Sequence, residues 1–198
     1  GRHVERLAED GLIGLMFGNT PKAIPPWGGT QALFGTNPIA FASPRDSAVP
    51  LVIDMSLSKV ARGKVMVANQ LNEKIPEDWA IDKDGKPTTD AKKALEGAML
   101  PIGDAKGSAL ALMVEVLAAG LTGSNFGFEA SSFLNAEGDA PGVGQLIIAI
   151  DPSFFSGESF GERTETLVGA VLEQPGTRLP GDKRIEKRKV REKSETIT

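Results

Sequence analysis

The sequence predicts a mixed α/β fold in which a central, partly antiparallel sheet is covered by helices. The chain has 198 residues, of which 40% are hydrophobic, so it is long enough to bury a sizeable core. Short apolar runs with the length of strands lie near residues 12–17, 38–42, 50–54 and 145–151. Longer segments that repeat apolar residues at helical spacing lie at 57–71, 106–121 and 159–172.

The composition argues against several classes of function. The net charge of −4 argues against a general binder of nucleic acid or of anionic membranes. Without cysteine the chain forms no disulfide or thiolate metal site, and its one histidine, His3, rules out a multi-histidine metal site. No apolar run reaches the length of a membrane span, and no signal peptide is visible. We therefore expect a cytoplasmic protein with no metal, nucleic-acid or membrane partner.

The N-terminal segment predicts a helix followed by a buried strand. Residues 2–10 have the apolar spacing of an amphipathic helix, which Gly11 ends. The run LIGLMF follows and has the length of a buried strand. The next residues, 18–20, form a polar exit from that strand, and such groups either line a cleft or make a plain turn. Because the chain starts at Gly1 rather than Met, on what resembles the end of a helix, we expect a fragment.

Two further strands lead to a turn that contains serines. After the proline- and glycine-rich loop 21–36, a tight turn precedes a short apolar strand. The run VPLVIDM forms the next strand and ends near Asp54. Ser56 is a good candidate for the N-cap of the helix that follows, and the alternative is that Ser56 and Ser58 contact a ligand.

Residues 100–123, LPIGDAKGSALALMVEVLAAGLTG, predict the principal helix. Apolar residues occur nearly all round it, so we expect it to be buried on several sides. Glu115 is the one charge in its middle, and because a buried carboxylate needs a partner, we expect it to be paired or to reach an edge. At the helix start, Gly103 and Gly107 flank Lys106. Glycines, a helix N-terminus and a positive charge together favour an anionic ligand.

The C-terminal part of the chain carries one more strand and two charged or amphipathic segments. The run QLIIAI, residues 145–150, is apolar without alternation, which predicts a central strand covered on both faces. Residues 159–172 predict an amphipathic helix. The last residues mix positive and negative charges, which is typical of a solvated helix rather than a nucleic-acid patch. We therefore place one domain over 1–182 and a charged helix or tail over 183–198.

Motif spacing alone gives a limited account of the chemistry. The chain lacks the G-K-[ST] ending of a P-loop and the G-x-G-x-x-G of an ordinary Rossmann fold. The acidic residues of the polar excursion 72–100 lack the spacing of a calcium loop. What remains is the helix start near Lys106 and polar groups at strand ends, at Asn19, Asn37 and Asp54. This combination indicates a cofactor or an organic acid.

Several sequence blocks, in order and at the right spacing, resemble the malate/L-lactate dehydrogenase family, which is unrelated to the Rossmann dehydrogenases. That family includes ureidoglycolate dehydrogenase, sulfolactate dehydrogenase, diketogulonate reductase and the Δ1-piperideine-2-carboxylate/Δ1-pyrroline-2-carboxylate reductases. The blocks are GLIGLMFGNT (11–20), PWGG (26–29), LFGTNPIAFASP (33–44), VIDMSLSKVARGKV (52–65), IPEDWAIDKDGKPTTD (75–90), LPIGDAKGSALALMVEVLAAGLTG (100–123), GQLIIAIDP (144–152) and RLPGD (178–182). The block that begins at Lys106 resembles the cyclic imino-acid reductase branch most.

This resemblance implies an NAD(P)H-dependent reductase of a 2-oxo acid or cyclic imino acid, which transfers a hydride to C=O or C=N. It implies a non-Rossmann fold, NADPH or NADH as cofactor, and a homodimer. The implied cofactor contacts are Asp54, Met55, Ser56, Ser58, Lys106, Gly181 and Asp182. By the same resemblance, Asn19 and Asn37 face the substrate cleft, and Asp54 is the candidate for proton transfer.

The chain departs from the family pattern in two respects. The family has a long region before the point that matches Gly1, with a serine-histidine pair and an arginine that act on the substrate, and His3 lies too late to be a further family histidine. The usual glycine and histidine before the lysine are replaced by Asp104 and Ala105, and an acid there opposes a phosphate unless it points away. Two alternatives to the enzyme stay open. One is a truncated, non-catalytic cofactor-binding or assembly module, and the other is an α/β protein whose glycines only make turns.

Overall fold

In the computed structural model, which describes residues 1–46, 48–133 and 137–193, helices and short strands are mixed along the chain. The strands are β1 (Ile13–Gly18), β2 (Ile39–Ser43), β3 (Leu51–Met55), β4 (Ala80–Ile81), β5 (Ala98–Met99) and β6 (Gln145–Ile150). The α-helices are α1 (Arg2–Glu9), α2 (Arg62–Leu71), α3 (Ala91–Glu96), α4 (Ala105–Glu115), α5 (Ser159–Leu172) and α6 (Asp182–Lys193). The predicted mixed α/β class is confirmed.

Two units, each assembled from separate stretches, make up the chain. The first unit comprises Gly1–Met16, Ala40–Asp54 and Ile147–Thr198, and the second comprises Phe17–Ile39 and Met55–Leu146. The domain over 1–182 and the charged segment over 183–198 stay predictions. Within the described ranges, no helix is both long and apolar enough to cross a lipid bilayer.

Helix α1 packs against the principal sheet in the first unit. The strands of that sheet follow the order β3-β2-β1-β6. The helix approaches β1 closely at Gly14, where an added Cβ would lie 3.1 Å from the Cα of Val4. Glycine therefore favours this close packing, because a side chain here would require α1 to shift. The small aliphatic core of the unit contains Val4, Ala8, Ala40, Ala42 and Val52.

Strand β6 does not occupy the central position that its apolar sequence predicts. It lies at the end of the strand order, and the side chains of Ile147 and Ile148 are 46% and 39% exposed. The prediction of a central strand covered on both faces is wrong for the described chain. An apolar run of this length predicts a strand, but it carries no information about the position of that strand in the sheet.

Ion pairs attach both later helices of the first unit to earlier segments. Arg188 of α6 donates to both carboxylate oxygens of Glu5 in α1, at 3.0 and 3.3 Å. These hydrogen bonds hold the pKa of the buried Glu5 carboxyl below its usual range. Arg45 donates in the same bidentate way to Glu165 of α5, at 2.8 and 2.7 Å. Paired arginine forks of this kind fix orientation as well as distance.

The serine-containing turn of the second unit is extended rather than helical. Backbone hydrogen bonds join it to the segment before α4: Lys59 N donates to Leu100 O at 2.8 Å, and Ile102 N donates to Leu57 O at 2.8 Å. Helix α2 therefore starts at Arg62, not near residue 57, and its N-cap is Ala61. The predicted N-cap role of Ser56 is wrong. Backbone hydrogen bonds to the segment before α4 hold residues 56–59 in an extended conformation outside the helix.

Helix α4 continues through a π-helical turn at Val116–Gly120 and is buried on one side. Ala111, Val114 and Ala118 are fully buried on that side. The opposite side is apolar but exposed, with Leu112 at 52% and Val116 at 56% exposure. The predicted extent of the helix is confirmed, whereas the prediction that it is buried on several sides is wrong in the described chain.

Gly107 lies where the first turn of α4 meets the turn before it. A Cβ at this position would overlap the carbonyl oxygen of Ile102, which is backbone and unable to move aside. We expect Gly107→Ala to lower the free energy of unfolding by about 2–3 kcal/mol, because overpacking against backbone forces the two segments apart. Urea unfolding followed by circular dichroism measures this change.

Gly169→Ala in α5 is the matched control, since a Cβ there has no atom within 4 Å. It should raise the free energy of unfolding by about 0.5–1 kcal/mol, because alanine is the better helix former. Equal effects of the two substitutions would contradict the close approach at Gly107.

Candidate active site

Glu115 is the buried charge around which the second unit is organised. Its side chain is 3% exposed. One carboxylate oxygen accepts hydrogen bonds from Gly35 N and Asn37 Nδ2, at 3.0 and 2.9 Å. The other accepts from Gly127 N at 3.0 Å and from Asn19 Nδ2 at 3.4 Å. The predicted need for partners is confirmed, and the partners are neutral donors rather than a cation.

Asn19 and Asn37 use their amide groups inside the unit. Asn19 Oδ1 accepts from Gly144 N at 2.7 Å, and Asn19 Nδ2 donates to Asn125 O at 2.8 Å. Asn37 is fully buried, and its Nδ2 also donates to Ala111 O at 2.9 Å. This geometry favours a positioning role for both side chains. Their direct contact with substrate stays a prediction.

A cavity of about 300 Å³ lies beside the residues that Glu115 holds. Thr20 follows Asn19 in the chain, and Thr36 lies between the two residues that donate to one Glu115 oxygen. Thr20 Oγ1 accepts from Thr36 N at 2.9 Å, so the hydroxyl groups of the two threonines lie together. The cavity is lined by Thr20, Pro21, Lys22, Ala23, Thr36, Arg62, Ala130, Ser132 and Phe133.

The polar lining of this cavity is cationic. Arg62 is half-buried, and burial lowers the pKa of its guanidinium. Its Nη2 donates to Leu95 O at 3.2 Å, while its buried Nε has no hydrogen-bond partner among the described residues. Lys22 is exposed, and none of the lining residues is acidic. A small organic acid is the ligand that such a lining favours.

Sequence reasoning missed Lys22 and Arg62. Arg62 lies in the block 52–65 that carries the family resemblance, whereas Lys22 lies between two blocks, and a basic residue in a loop or at a helix start is usually solvated. Nothing in the local pattern indicates that Lys22 and Arg62, 40 positions apart, line one cavity. Only the long-range contacts of the second unit bring them together.

The predicted cofactor residues of the second unit lie on paired segments. Ser58 forms a β-bridge with Pro101, in the turn that leads to Lys106. Ser56 Oγ lies 3.1 Å from Ser58 Oγ, and Ser58 Oγ donates to Val60 O at 2.8 Å. Met55 and Lys106 are exposed. The extended turn and the N-terminal turn of α4 are thus side by side, and their cofactor contact stays a prediction.

Asp104 occupies a backbone conformation that suits glycine. Its φ of 57° and ψ of −121° lie in a region that residues with a side chain rarely adopt. The family resemblance implies a glycine at this position. Its side chain is exposed and makes no capping hydrogen bond to α4. The pKa of Lys59 is raised mainly by its hydrogen bond to Asp78, and the charge of Asp104 raises it further.

The predicted cofactor residues of the first unit gather where β3 ends and α6 begins. A Cβ on Gly181, which has a φ of 89°, would lie 3.0 Å from Val52 O. Asp182 Oδ2 accepts from Leu179 N at 2.8 Å and so caps the turn before α6. Asp54 Oδ2 lies 3.8 Å from Arg184 Nη1. Their cofactor contact, and the proton-transfer role of Asp54, stay predictions.

Arg184 adds a cationic surface that the sequence analysis did not identify. Its Nε and Nη2 are buried and have no hydrogen-bond partner in the described part of the chain. It lines a cavity of about 500 Å³ together with Lys183, Lys187, Arg188 and Arg191. Unsatisfied guanidinium donors within a cluster of cations fit a phosphate group.

A family model described as malate/L-lactate dehydrogenase matches residues 1–197. The chain belongs to the malate/L-lactate dehydrogenase family. It is 58% identical over 194 residues to a (2R)-3-sulfolactate dehydrogenase (NADP(+)) of Chromohalobacter salexigens, an alignment that covers 98% of this chain and 58% of that protein. It is 45% identical over 190 residues to a Δ1-pyrroline-2-carboxylate/Δ1-piperideine-2-carboxylate reductase of Pseudomonas putida. That alignment covers 96% of this chain and 56% of that protein.

Solved structures of this family share the fold. A Δ1-piperideine-2-carboxylate reductase of Pseudomonas syringae pathovar tomato superposes with a TM-score of 0.89 at 43% identity, over 96% of this chain and 57% of that chain. A sulfolactate dehydrogenase of Methanocaldococcus jannaschii superposes with a TM-score of 0.85 at 39% identity, over 95% of this chain and 55% of that chain. This chain therefore spans less than three fifths of the length of these relatives.

Replacing Glu115 by glutamine tests the hydrogen-bond cage. All four groups that face the Glu115 carboxylate are N–H donors. In Glu115→Gln an NH₂ group replaces one carboxylate oxygen, so the two donors that oxygen accepted from would be left buried without an acceptor. We expect a loss of about 2 kcal/mol or more in the free energy of unfolding, measured by urea titration. The control is Glu129→Gln, because exposed Glu129 accepts one hydrogen bond, from Phe126 N, which a glutamine oxygen still accepts. A comparable loss in both variants would contradict the cage.

Replacing Asp104 by glycine tests the backbone strain before α4. We expect Asp104→Gly to raise the free energy of unfolding by about 1 kcal/mol, because relief of the unfavourable conformation exceeds the added entropy of the unfolded chain. Asp10→Gly is the control, since the φ of −91° and ψ of 12° at Asp10 are accessible to any residue. That control should lose about 0.5–1 kcal/mol. A lower free energy of unfolding in Asp104→Gly would contradict the proposed backbone strain at Asp104.

Proposed function

We propose that this chain forms the substrate cavity and cofactor contacts of an NADP(H)-dependent oxidoreductase that interconverts a 2-hydroxy acid and a 2-oxo acid. The observation that carries the proposal is the acid-free, cationic cavity lined by Lys22 and Arg62. The 58% identity to a sulfolactate dehydrogenase (NADP(+)) supports a 2-hydroxy acid and this cofactor.

Arg62 is our candidate for binding the substrate carboxylate. Its guanidinium has donors in a fixed fork, and its buried Nε has no partner in the described ranges. The hydroxyl groups of Thr20 and Thr36 supply donors to the neighbouring oxygen of a 2-oxo or 2-hydroxy acid. Ala23, Ala130 and Phe133 provide the apolar part of the lining. Glu115 touches no substrate in this proposal, and it holds the segments that carry the two threonines.

Taken separately, each unit has residues that suit part of a nicotinamide dinucleotide. In the first unit, the unsatisfied donors of Arg184 and the cations around it suit the additional phosphate that distinguishes NADP(H) from NAD(H). Asp54, Gly181 and Asp182 are proposed contacts there. In the second unit, Met55, Ser56, Ser58 and Lys106 are proposed contacts. When bound, the nicotinamide cofactor supplies or accepts the hydride. The Asp54 carboxylate is our candidate for the group that transfers the accompanying proton.

Reduction of a cyclic imino acid is the second candidate. It is favoured by the relatives named as Δ1-pyrroline-2-carboxylate reductases and by the TM-score of 0.89 to a piperideine-2-carboxylate reductase. An imino acid carries the same carboxylate for Arg62, so the cavity geometry is compatible with both substrates. A non-catalytic cofactor-binding or assembly module remains the alternative outside enzymology, and the turnover test below separates it from both.

We further propose that the protein is a homodimer in the cytoplasm. The exposed apolar side chains of Ile147, Phe154 and Leu112 supply surface for association between copies. Light scattering after size-exclusion chromatography measures the mass in solution, and a monomer at micromolar concentration would contradict the dimer.

Cofactor titration tests the proposed function most directly. We expect calorimetry to show binding of NADPH that is tighter than binding of NADH, because the first unit offers cations to the additional phosphate. Lys106→Ala should weaken NADPH binding by about tenfold, the loss of one charge-assisted contact. Lys83→Ala, an exposed lysine in the polar excursion, is the control and should leave the affinity unchanged. Equal affinities for all three proteins would contradict the placement of Lys106.

Turnover then separates the candidates. The enzyme proposal predicts that NADP⁺ is reduced with 3-sulfolactate or another 2-hydroxy acid, or that NADPH is oxidised with Δ1-pyrroline-2-carboxylate. Cofactor binding without turnover of any of these acids would favour the non-catalytic module.

A further inference from the structure

Two cationic side chains in the cavity of the second unit face a potential ligand without a counter-charge from the protein. Lys22 and Arg62 both line the cavity, and none of the other lining residues is acidic. Among the described residues, neither Lys22 nor Arg62 forms an ion pair with a carboxylate. The lining therefore has a formal charge of two positive units.

Two other cations of the chain, by contrast, are held by carboxylates. Lys59 Nζ lies 2.9 Å from Asp78, and Arg45 Nη2 lies 2.7 Å from Glu165. With 26 acidic and 22 basic residues in the sequence, carboxylates are plentiful, yet none lines this cavity. A site that leaves two cations for the ligand is complementary to a ligand with two anionic groups.

The two cationic side chains differ in burial, so they are suited to different groups of a ligand. Arg62 is half-buried, has an unpartnered Nε within the described ranges, and is anchored through Nη2 to Leu95 O. Lys22 is exposed, and its backbone N donates to Gly127 O at 2.8 Å, next to the Glu115 cage. The base of the Lys22 side chain is thus fixed by the same loops that hold Thr20 and Thr36. Lys22 lines the cavity and is exposed, so its flexible side chain has room to bring the ammonium group to a ligand.

We propose that Lys22 is a specificity-determining residue that binds a second anionic group of the substrate, a sulfonate or a further carboxylate. This inference rests on the proposed function in one respect, namely that Arg62 binds the carboxylate beside the reacting carbon. A cavity of about 300 Å³ is large enough for a three- or four-carbon acid with two anionic groups.

Calorimetric titration of the full chain, with and without NADP⁺, tests the role of Lys22 in binding. The probes are racemic 3-sulfolactate and malate, which carry two anionic groups, and racemic lactate, which carries one. We expect both dianions to bind the unsubstituted protein at least about tenfold more tightly than lactate. Lys22→Gln should reduce this preference to about twofold or less, because it weakens the dianions by a larger factor than lactate. Lys83→Gln, which removes an exposed lysine away from the cavity, should retain the full preference.

The inference is overturned if Lys22→Gln weakens lactate and the dianions equally, if the preference survives the substitution, or if no acid binds. Arg62→Gln provides the complementary measurement, because loss of the common carboxylate contact should weaken all three acids by a similar factor. Turnover is recorded separately. If no acid supports reduction of NADP⁺ but Lys22→Gln still abolishes the dianion preference, the proposed oxidoreductase fails and the assignment of Lys22 stands.

Discussion

The buried carboxylate of Glu115 is the constraint on which the second unit depends. Removing an ionised carboxylate from water costs several kcal/mol unless hydrogen bonds replace those of the solvent. Here the replacement comes from donors at Asn19, Gly35, Asn37 and Gly127, which lie up to 96 residues away in the sequence. These donors belong to loops that have little regular structure. Because Glu115 is stabilised only when all of them are in place, it specifies one arrangement of loops that their own sequences leave open.

The cavity of the second unit depends for its geometry on that arrangement of loops. Thr20 and Thr36 are chain neighbours of the residues that bind Glu115, and the hydrogen bond between Thr36 N and Thr20 Oγ1 joins them. Arg62 approaches from α2 and is held by a backbone carbonyl rather than by an acid. Arg62 thus stands on a helix, while the cage fixes the loops that carry the hydroxyl groups. This division of roles is common where loops on a rigid scaffold form a site.

Sequence reasoning predicted the elements well and their neighbours poorly. Helical and strand periodicity located α4 and β1, and the isolated charge of Glu115 predicted partners, because these inferences use local chemistry. Hydrogen bonds between segments that are distant in the sequence determine the position of β6 and the extended conformation of residues 56–59. Hydrophobic periodicity carries no information about such pairing. The cationic cavity was missed for the same reason, since no local pattern joins Lys22 to Arg62. The family resemblance supplied the candidate residues, but contacts decided which of them are engaged internally.

Asp104 shows how a departure from the family pattern can leave the backbone unchanged. The residue adopts the φ of 57° that a glycine would adopt without cost, so the turn before α4 is retained at the expense of local strain. An acid beside a helix N-terminus would oppose a phosphate if its charge acted there alone. Part of the field of Asp104 instead acts on Lys59, whose pKa it helps to raise after the larger effect of Asp78. Lys59 is itself paired with Asp78, so it does not neutralise Asp104. The Asp104 side chain is exposed and makes no capping hydrogen bond, and the ammonium of Lys106, also exposed, remains available to an anion at the start of α4. The strain at Asp104 is therefore confined to the turn before α4.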